Sequence, residues 1–289
     1  MSIKSSLSHR EEEPENSVLY IVGTPIGNLN DISHRAIKIL RNVSLIACED
    51  TRQTKKLMDK YSFNNNLISF YKNNSFKRIP KIIAYLKEGK SIALVSDAGM
   101  PGICDPGEDL VREAISNKIK VISIPGPCAA ITALVSSGFP SSSFHFLGFL
   151  PKKKIEREKI LLKISNEEKT TILYESPYRV YNLLKELKEY CGGEREMQVF
   201  RELTKKFEEH IGPNINMVID FFENKKILGE ITLVIKGVNV NLIKNSEINS
   251  SYLRKELCEL INAGLSLSSA SKYLAKKNKL TKNIIYSLY

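Results

Sequence analysis

From Val18 onward, short apolar runs alternate with stretches whose apolar residues recur at helical spacing. The runs "VLYIV", "LIAC", "IALVS" and "VISI" each stop at a turn and give way to a periodic segment, the pattern of strands in a mainly parallel sheet covered by helices. The spacing of Ile79, Ile82, Ile83 and Leu86 predicts a helix over Arg78 to Glu88, and shorter patterns cover Lys38 to Arg41 and Leu110 to Ile115. Residues 18–138 therefore read as one α/β domain that ends in the helix after "PGPCAA", with the Gly, Pro and Ser of "SGFPSS" marking its boundary.

Residues 139–238 repeat the alternation, with strands at "TTILYES", "MQVFRE" and "EITLVIKG" and a helical stripe at Val180, Leu183, Leu184 and Leu187. They form a second α/β domain. Residues 239–289 begin as an Asn- and Ser-rich linker and continue as two amphipathic stripes. Leu253, Leu257, Leu260 and Ile261 make one, and Ala270, Tyr273 and Leu274 the other, a small module with a helix-turn-helix look. Residues 1–17 carry three consecutive glutamates and no apolar core, and read as a loose tail rather than a signal peptide or a spanning helix.

Composition narrows the function classes. Of 289 residues, 42% are hydrophobic, enough to fill two cores, and 43 Lys and Arg against 32 Asp and Glu leave a net charge of +11. Such a balance suits a polyanionic partner such as nucleic acid, and the alternative is a solvated basic surface. Five scattered cysteines without a C-x-x-C pair argue against a disulfide framework and for a reducing, cytoplasmic compartment, with no membrane segment.

Chemistry concentrates in the loops that follow strands. "VGTPIGN", "CEDTRQT", "SDAGMPGICDPG", "PGPCAA" and "YESPYR" are rich in Gly, Pro and charge, and at the carboxyl ends of α/β strands they are expected to line one crevice. Each taken alone is equally a tight turn. A dinucleotide fingerprint is broken, because Gly23 and Gly27 are separated by three residues and Pro25 removes an amide that a pyrophosphate needs. There is no Walker A sequence and no H-E-x-x-H, and His9, His34, His145 and His210 are far apart, so no metal centre is expected.

The motifs "GTPIGNLNDIS", "EDTR", "SDAGMPGICDPG", "PGPCA", "YESPYR", "RELTKKFEE" and "GEITLVIKG" stand in the order and rough spacing of one family. From Val18 to the C-terminus the chain resembles the tetrapyrrole-methylase superfamily, in particular its members that act on ribosomal RNA. The resemblance implies a two-domain tetrapyrrole-methylase-like α/β fold, here with a small C-terminal helical module, with S-adenosylmethionine in the cleft between domains and homodimers. The implied acceptor is the ribose 2′-hydroxyl of a cytidine in 16S small-subunit RNA, free or in the assembled small ribosomal subunit. By position it assigns methyl-donor contacts to Pro25, Asp97, Ala98, Gly99, Met100, Gly102, Cys128, Ala129, Tyr174 and Thr232. The chain departs from the family's usual pattern at Met100 (commonly Thr), Cys48 (Ala), Cys104 and Cys128 (Ser) and Tyr178 (His), and has "EEHIG" where an Arg-Gly is common.

The residues themselves are consistent with that implication. Gly99 and Gly102 would let backbone approach a ligand while Pro101 and Pro106 hold the loop's shape. Asp97 ends its strand and can accept from a ligand hydroxyl or amine, or simply cap turn amides. A ribose hydroxyl needs a base, and Asp97, Glu49 and Asp50 are the carboxylates available, with Asp97 placed first. Arg52, Arg179, Arg201 and Lys205 lie in motif segments and suit RNA phosphates, the alternative being ion pairs with neighbours such as Glu202. The tail from Asn239 carries eight Lys or Arg against three Glu, a net +5, and "PKKKIEREK" extends the basic surface, which suits folded RNA. Two other readings fit less of this pattern: a small-molecule methyltransferase of the same superfamily, and a non-catalytic RNA-binding protein.

Overall fold

The apolar runs of the first half pair side by side into a single parallel sheet. In the computed structural model, which describes residues 13–238, 250–278 and 280–289, the chain divides into two units, 1–129 and 130–289. The first unit's strands are β1 (Val18–Val22), β2 (Leu45–Cys48), β3 (Leu67–Ser69), β4 (Ile92–Val95) and β5 (Lys120–Ile124), in the order β3-β2-β4-β1-β5. Every neighbouring pair is parallel. β1 and β4 are central and buried at every residue, which is why their sequences show no polar alternation.

Helices cover both faces. Val18, Tyr20 and Val22 pack with Ala36, Ile39 and Leu40 of α1 (His34–Asn42) and Leu57 of α2 (Thr51–Lys60). Leu19 and Ile21 point the other way, onto Ile82 and Leu86 of α3 (Ser75–Lys87) and Leu110 of α4 (Glu108–Ser116). Helix α3 starts at Ser75, ahead of the expected Arg78, because Ser75, Lys77 and Arg78 are polar and the single exposed Phe76 is too little to extend the apolar stripe. Strand β3 was invisible for a similar reason, being three residues long. The N-terminal tail is anchored at its end, where the buried Glu13 carboxylate pairs with Arg35 at 2.7 Å and Glu15 with Lys120.

The second unit holds β6 (Phe144–Phe149), β7 (Thr170–Glu175), β8 (Met197–Arg201), β9 (Glu209–Ile211) and β10 (Ile231–Ile235) in the order β6-β7-β10-β8-β9. Only β6 and β7 are parallel; the rest of this sheet is antiparallel. Its helices are α5 (Ala129–Ser137), α6 (Lys154–Asn166), α7 (Val180–Cys191) and α8 (Ile215–Phe222). The sequence had suggested that α5 closes the first domain, but all of this helix after Ala129 lies in the second unit. Its Ala130 amide donates to Tyr174 Oη at 3.0 Å, and its Ser137 carbonyl accepts from Gln198 Nε2 at 2.9 Å.

The C-terminal helices α9 (Ser250–Asn262), α10 (Leu267–Lys277) and α11 (Lys282–Tyr286) share a small core of Leu253, Leu257, Ala270, Leu274 and Ile285. The expected linker, 239–249, lies outside the described residues. The module nevertheless is docked on its unit. Lys282, only 2% exposed, donates to Tyr190 Oη of α7 at 2.7 Å and to Ser268 Oγ at 3.1 Å, and Asn283 donates to Asn166 of α6 at 2.8 Å. Among the described residues no helix is long and apolar enough to cross a membrane.

Candidate active site

Strands β1 and β4 are neighbours, yet the chain leaves β1 for α1 on one face and β4 for α4 on the other. A crevice opens at the carboxyl ends of two strands whose connections diverge in this way. The loops after them are stitched across it. Thr24 and Gly99 exchange backbone bonds of 2.9 and 3.1 Å, and Thr24 Oγ1 donates to the Ser96 carbonyl at 3.2 Å. The loop after β5 closes on the same place, with the Gly23 amide bonded to the Ile124 carbonyl at 3.2 Å.

Glycine is required here for two different reasons. Gly99, Gly102 and Gly107 have φ of +83°, +85° and +154°, where a side chain is strained. A Cβ on Gly99 would find only ordinary contacts, Ile26 Cγ2 at 3.4 Å and the Pro127 carbonyl at 3.5 Å, so its need is conformational rather than the close approach read from the sequence. The close approach lies at Gly23 and Gly126, where a Cβ on Gly23 would stand 2.6 Å from Gly126 Cα and from Met100 Sδ. The sequence reading passed over that pair, although each glycine sits beside a proline motif, "GTP" and "PGP". Pro25, Ala98, Gly99, Met100, Gly102 and Cys128 thus belong to three turns at one edge of the first sheet, and Ala129 begins the helix that follows the third.

β2 brings the carboxylates to this edge. Cys48 is in register with Val95, so Glu49 and Asp50 adjoin Ser96 and Asp97. Asp97 Oδ1 accepts the Asp50 amide at 2.9 Å. The three carboxylates differ in character. Asp50 caps α2 through the Arg52 amide at 2.8 Å and grips the Arg52 guanidinium at 2.6 Å, and these bonds hold its pKa down to about 2. Burial raises the Glu49 pKa, helped by the charges of Asp105 and Asp97. Asp97 is also raised, by burial, against the lowering effect of the Asp50 amide. Asp50 is therefore a helix cap and a partner for Arg52, and the base candidates reduce to Glu49 and Asp97. An apolar groove of about 410 Å³ beside Pro101, Ile103, Val111 and Ile115 shares Gly102 with the turns but holds none of these carboxylates.

The fifth loop, "YESPYR", does not lie on this edge: it follows β7 in the second sheet. Tyr174 and Thr232 face each other in register across β7 and β10, Thr232 buried and Tyr174 edge-on to Phe146 and Phe149. The cations assigned to phosphate are held by carboxylates. Arg179 bonds Glu175 at 2.6 Å, Arg201 bonds Glu209 at 2.7 Å, and Lys205 bonds Glu202 and Glu230 at 2.8 and 2.9 Å. The ion-pair alternative describes them better than free phosphate contacts do. Arg52 is also paired, to Asp50, but its side chain remains 85% exposed.

The profile of the tetrapyrrole (corrin/porphyrin) methylases matches residues 18–216. A Synechocystis protein named ribosomal RNA small subunit methyltransferase I is 42% identical over 271 residues, 94% of this chain and 96% of its own. A Thermotoga maritima protein of the same name is 48% identical over 219 residues, 76% of this chain and 98% of its own. Among solved structures, a cobalt precorrin-4 methyltransferase superposes with a TM-score of 0.59 at 14% identity, covering 76% of this chain and 95% of that one. Diphthine synthase gives 0.57 at 15%, covering 76% and 90%. These two likenesses are of fold alone. With the family's profile on more than half its length and close relatives along nearly all of it, the chain belongs to the tetrapyrrole methylases, beside the proteins named ribosomal RNA small subunit methyltransferase I.

Proposed function

We propose that this chain transfers a methyl group from S-adenosylmethionine to the 2′-hydroxyl of a cytidine ribose in small-subunit ribosomal RNA. The observation that carries the reading is the identity of 42% along 94% of the chain to a relative named for ribosomal RNA methylation. The net charge of +11 agrees with a polyanionic acceptor and speaks against a small tetrapyrrole.

The turns fit such a donor. It presents an ammonium, a carboxylate, ribose hydroxyls and an adenine, and so calls for backbone amides and carbonyls beside a carboxylate with little steric bulk. Gly99, braced to Thr24, and Gly102, both at positive φ, offer that backbone next to the Asp97 carboxylate. Asp97, Ala98, Gly99, Met100 and Cys128 would hold the donor, which when bound supplies an electrophilic methyl on sulfur. The protein's remaining tasks are to align the acceptor oxygen and to receive its proton. Glu49 is the proton acceptor in this reading: its pKa is raised toward the working range, while the Asp97 carboxylate is engaged by the Asp50 amide. The active species is a homodimer in a reducing, cytoplasmic-type compartment.

The test is a methyl-transfer assay offering unmethylated small subunits and free ribosomal RNA side by side, followed by mapping of the modified nucleotide. Label at a cytidine 2′-oxygen is the expected result. Absence of label in RNA under both conditions, with transfer to a small molecule, would overturn the reading.

A further inference from the structure

Strands β7 and β8 are both antiparallel to β10 and therefore parallel to each other. Ile231 stands in register with Glu175 on one side and with Arg201 on the other, so the two strands end level with only β10 between them, about 10 Å apart. The turns that follow them leave the same edge of the second sheet side by side. Each turn carries a ring that packs against little: Tyr178 is 89% exposed and Phe207 64%. Rings so exposed bury only a minor part of their apolar surface and contribute little to the fold.

The backbone beneath them is fixed at some cost. In the second turn two residues other than glycine, Glu202 and Thr204, have φ of +55° and +66°. The Glu202 carboxylate holds that conformation, accepting the Glu230 amide at 2.9 Å and the Lys205 ammonium at 2.8 Å, while a Cβ on Gly229 would collide with its side chain at 2.5 Å. In the first turn Arg179 is clamped by Glu175, whose side chain is 1% exposed. The motif cations thus pin the two turns rather than reach for phosphates. Lys206 remains beside the presented surface, its Nζ 5.5 Å from the Phe207 ring centroid.

We propose that Tyr178 and Phe207 form a two-ring stacking surface for unpaired bases of the RNA acceptor. This rests on the reading given under Proposed function. Single-stranded RNA is the occupant that fits, because every base offers a π face to an aromatic ring and a cation beside the ring adds to the attraction. A protein partner fits less well. The rings stand on separate turns among Arg179, Lys205, Lys206 and Glu208, and do not make the continuous apolar area that a stable protein interface buries.

The experiment measures binding of a fluorescently labelled single-stranded ribo-oligonucleotide containing cytidine, by anisotropy at several salt concentrations, to the wild type and to Tyr178→Ala, Phe207→Ala and the double variant. The expected losses are about tenfold for either single change and about a hundredfold together, within the range for one stacked base per ring. The salt dependence stays that of the wild type because no charge is removed. Tyr178→Trp and Phe207→Tyr keep a ring and should retain binding, and circular dichroism checks that all variants are folded. A double variant that binds within twofold of the wild type overturns the proposal. So does a double variant that binds RNA normally but loses self-association in sedimentation, which would make the rings a contact between copies. The methyl-transfer assay on the wild type separates the two levels: no transfer to RNA removes the functional reading and this inference with it, whereas normal transfer with unchanged binding by the variants removes this inference alone.

Discussion

The carboxylate of Asp97, just past the end of β4, accepts the backbone amide of Asp50, just past the end of β2, at 2.9 Å. This bond occupies the Asp97 carboxylate and leaves that of Glu49, and so separates two roles that sequence alone had left together. Asp97→Ala removes the acceptor and should loosen the turn, lowering donor affinity about tenfold while turnover at saturating donor stays within severalfold of wild type. Glu49→Gln keeps the shape but not the base, so turnover should fall by roughly 10²–10⁴ with donor affinity kept. Calorimetry and single-turnover kinetics distinguish the two patterns. A large turnover loss in Asp97→Asn, which preserves an acceptor oxygen, would return the base to Asp97.

The pH dependence follows from the raised Glu49 carboxyl. Glu49 acts as a base only when ionised, so kcat/KM should climb with pH through a pKa above the ordinary carboxylate range and then level off. Because the Asp105 charge helps to raise that pKa, Asp105→Asn should move the limb to lower pH, and Glu49→Gln should abolish it. The stability consequence has the opposite sense to that of a salt-bridged carboxylate. A group whose folded pKa is raised binds its proton more tightly when folded, so stability is lost as pH rises through that pKa, and Glu49→Gln should be more stable than wild type at neutral pH. Urea titrations of both proteins at acidic and neutral pH check this.

How much of this was legible depended on length and on pairing. β1, β2 and β4 announced themselves because strands buried on both faces are continuous apolar runs, and the edge strand β5 because Val121, Ile122 and Ile124 still make a short apolar run, whereas β3 and β9 are three residues each and carry no period. The Gly- and Pro-rich turns marked the site because their conformations restrict the residue types allowed, as the positive φ of Gly99 and Gly102 shows. What one dimension hid was which charges meet. Arg201 and Glu209 are eight positions apart and belong to different strands, and Lys205 finds Glu230 on the far side of α8, so cations that looked available are paired. The Gly23–Gly126 contact was hidden for the same reason, since it depends on β1 lying beside β5.

That contact gives the sharpest stability prediction. A methyl on Gly126 would lie 2.7 Å from Gly23 Cα and 2.8 Å from its carbonyl, backbone against backbone with no side chain able to yield. Gly126→Ala should therefore destabilise the first unit by about 1–3 kcal/mol and lower donor affinity at the same time. Gly89→Ala is the control, a glycine at φ +90° with open space around its Cβ position, which should cost about 1 kcal/mol of backbone strain without touching donor binding. Equal donor affinity in Gly126→Ala and Gly89→Ala would show that the three turns do not hold the ligand.

Lys282 makes the C-terminal module testable as a fixed part rather than a tethered arm. Its ammonium sits in a nearly closed site between Tyr190, Ser268 and Glu189, the last at 3.3 Å, and lies over the Tyr190 ring at 4.2 Å. Lys282→Met fills similar space without the bonds, and should cost about 1–3 kcal/mol because the Tyr190 and Ser268 hydroxyls lose a buried partner, while Glu189 keeps Lys272 at 2.9 Å. Ending the chain at Asn239 removes the whole net charge of +5 and should weaken RNA binding with a shallower salt dependence. The two variants together separate charge from placement. If only charge mattered, Lys282→Met, which removes one unit of it from a buried position, would bind RNA like the wild type; because the module is docked through that residue, a measurable part of the truncation's loss is expected instead. RNA affinity in Lys282→Met equal to wild type, with the loss of stability confirmed by urea titration, would show that docking is irrelevant to the acceptor.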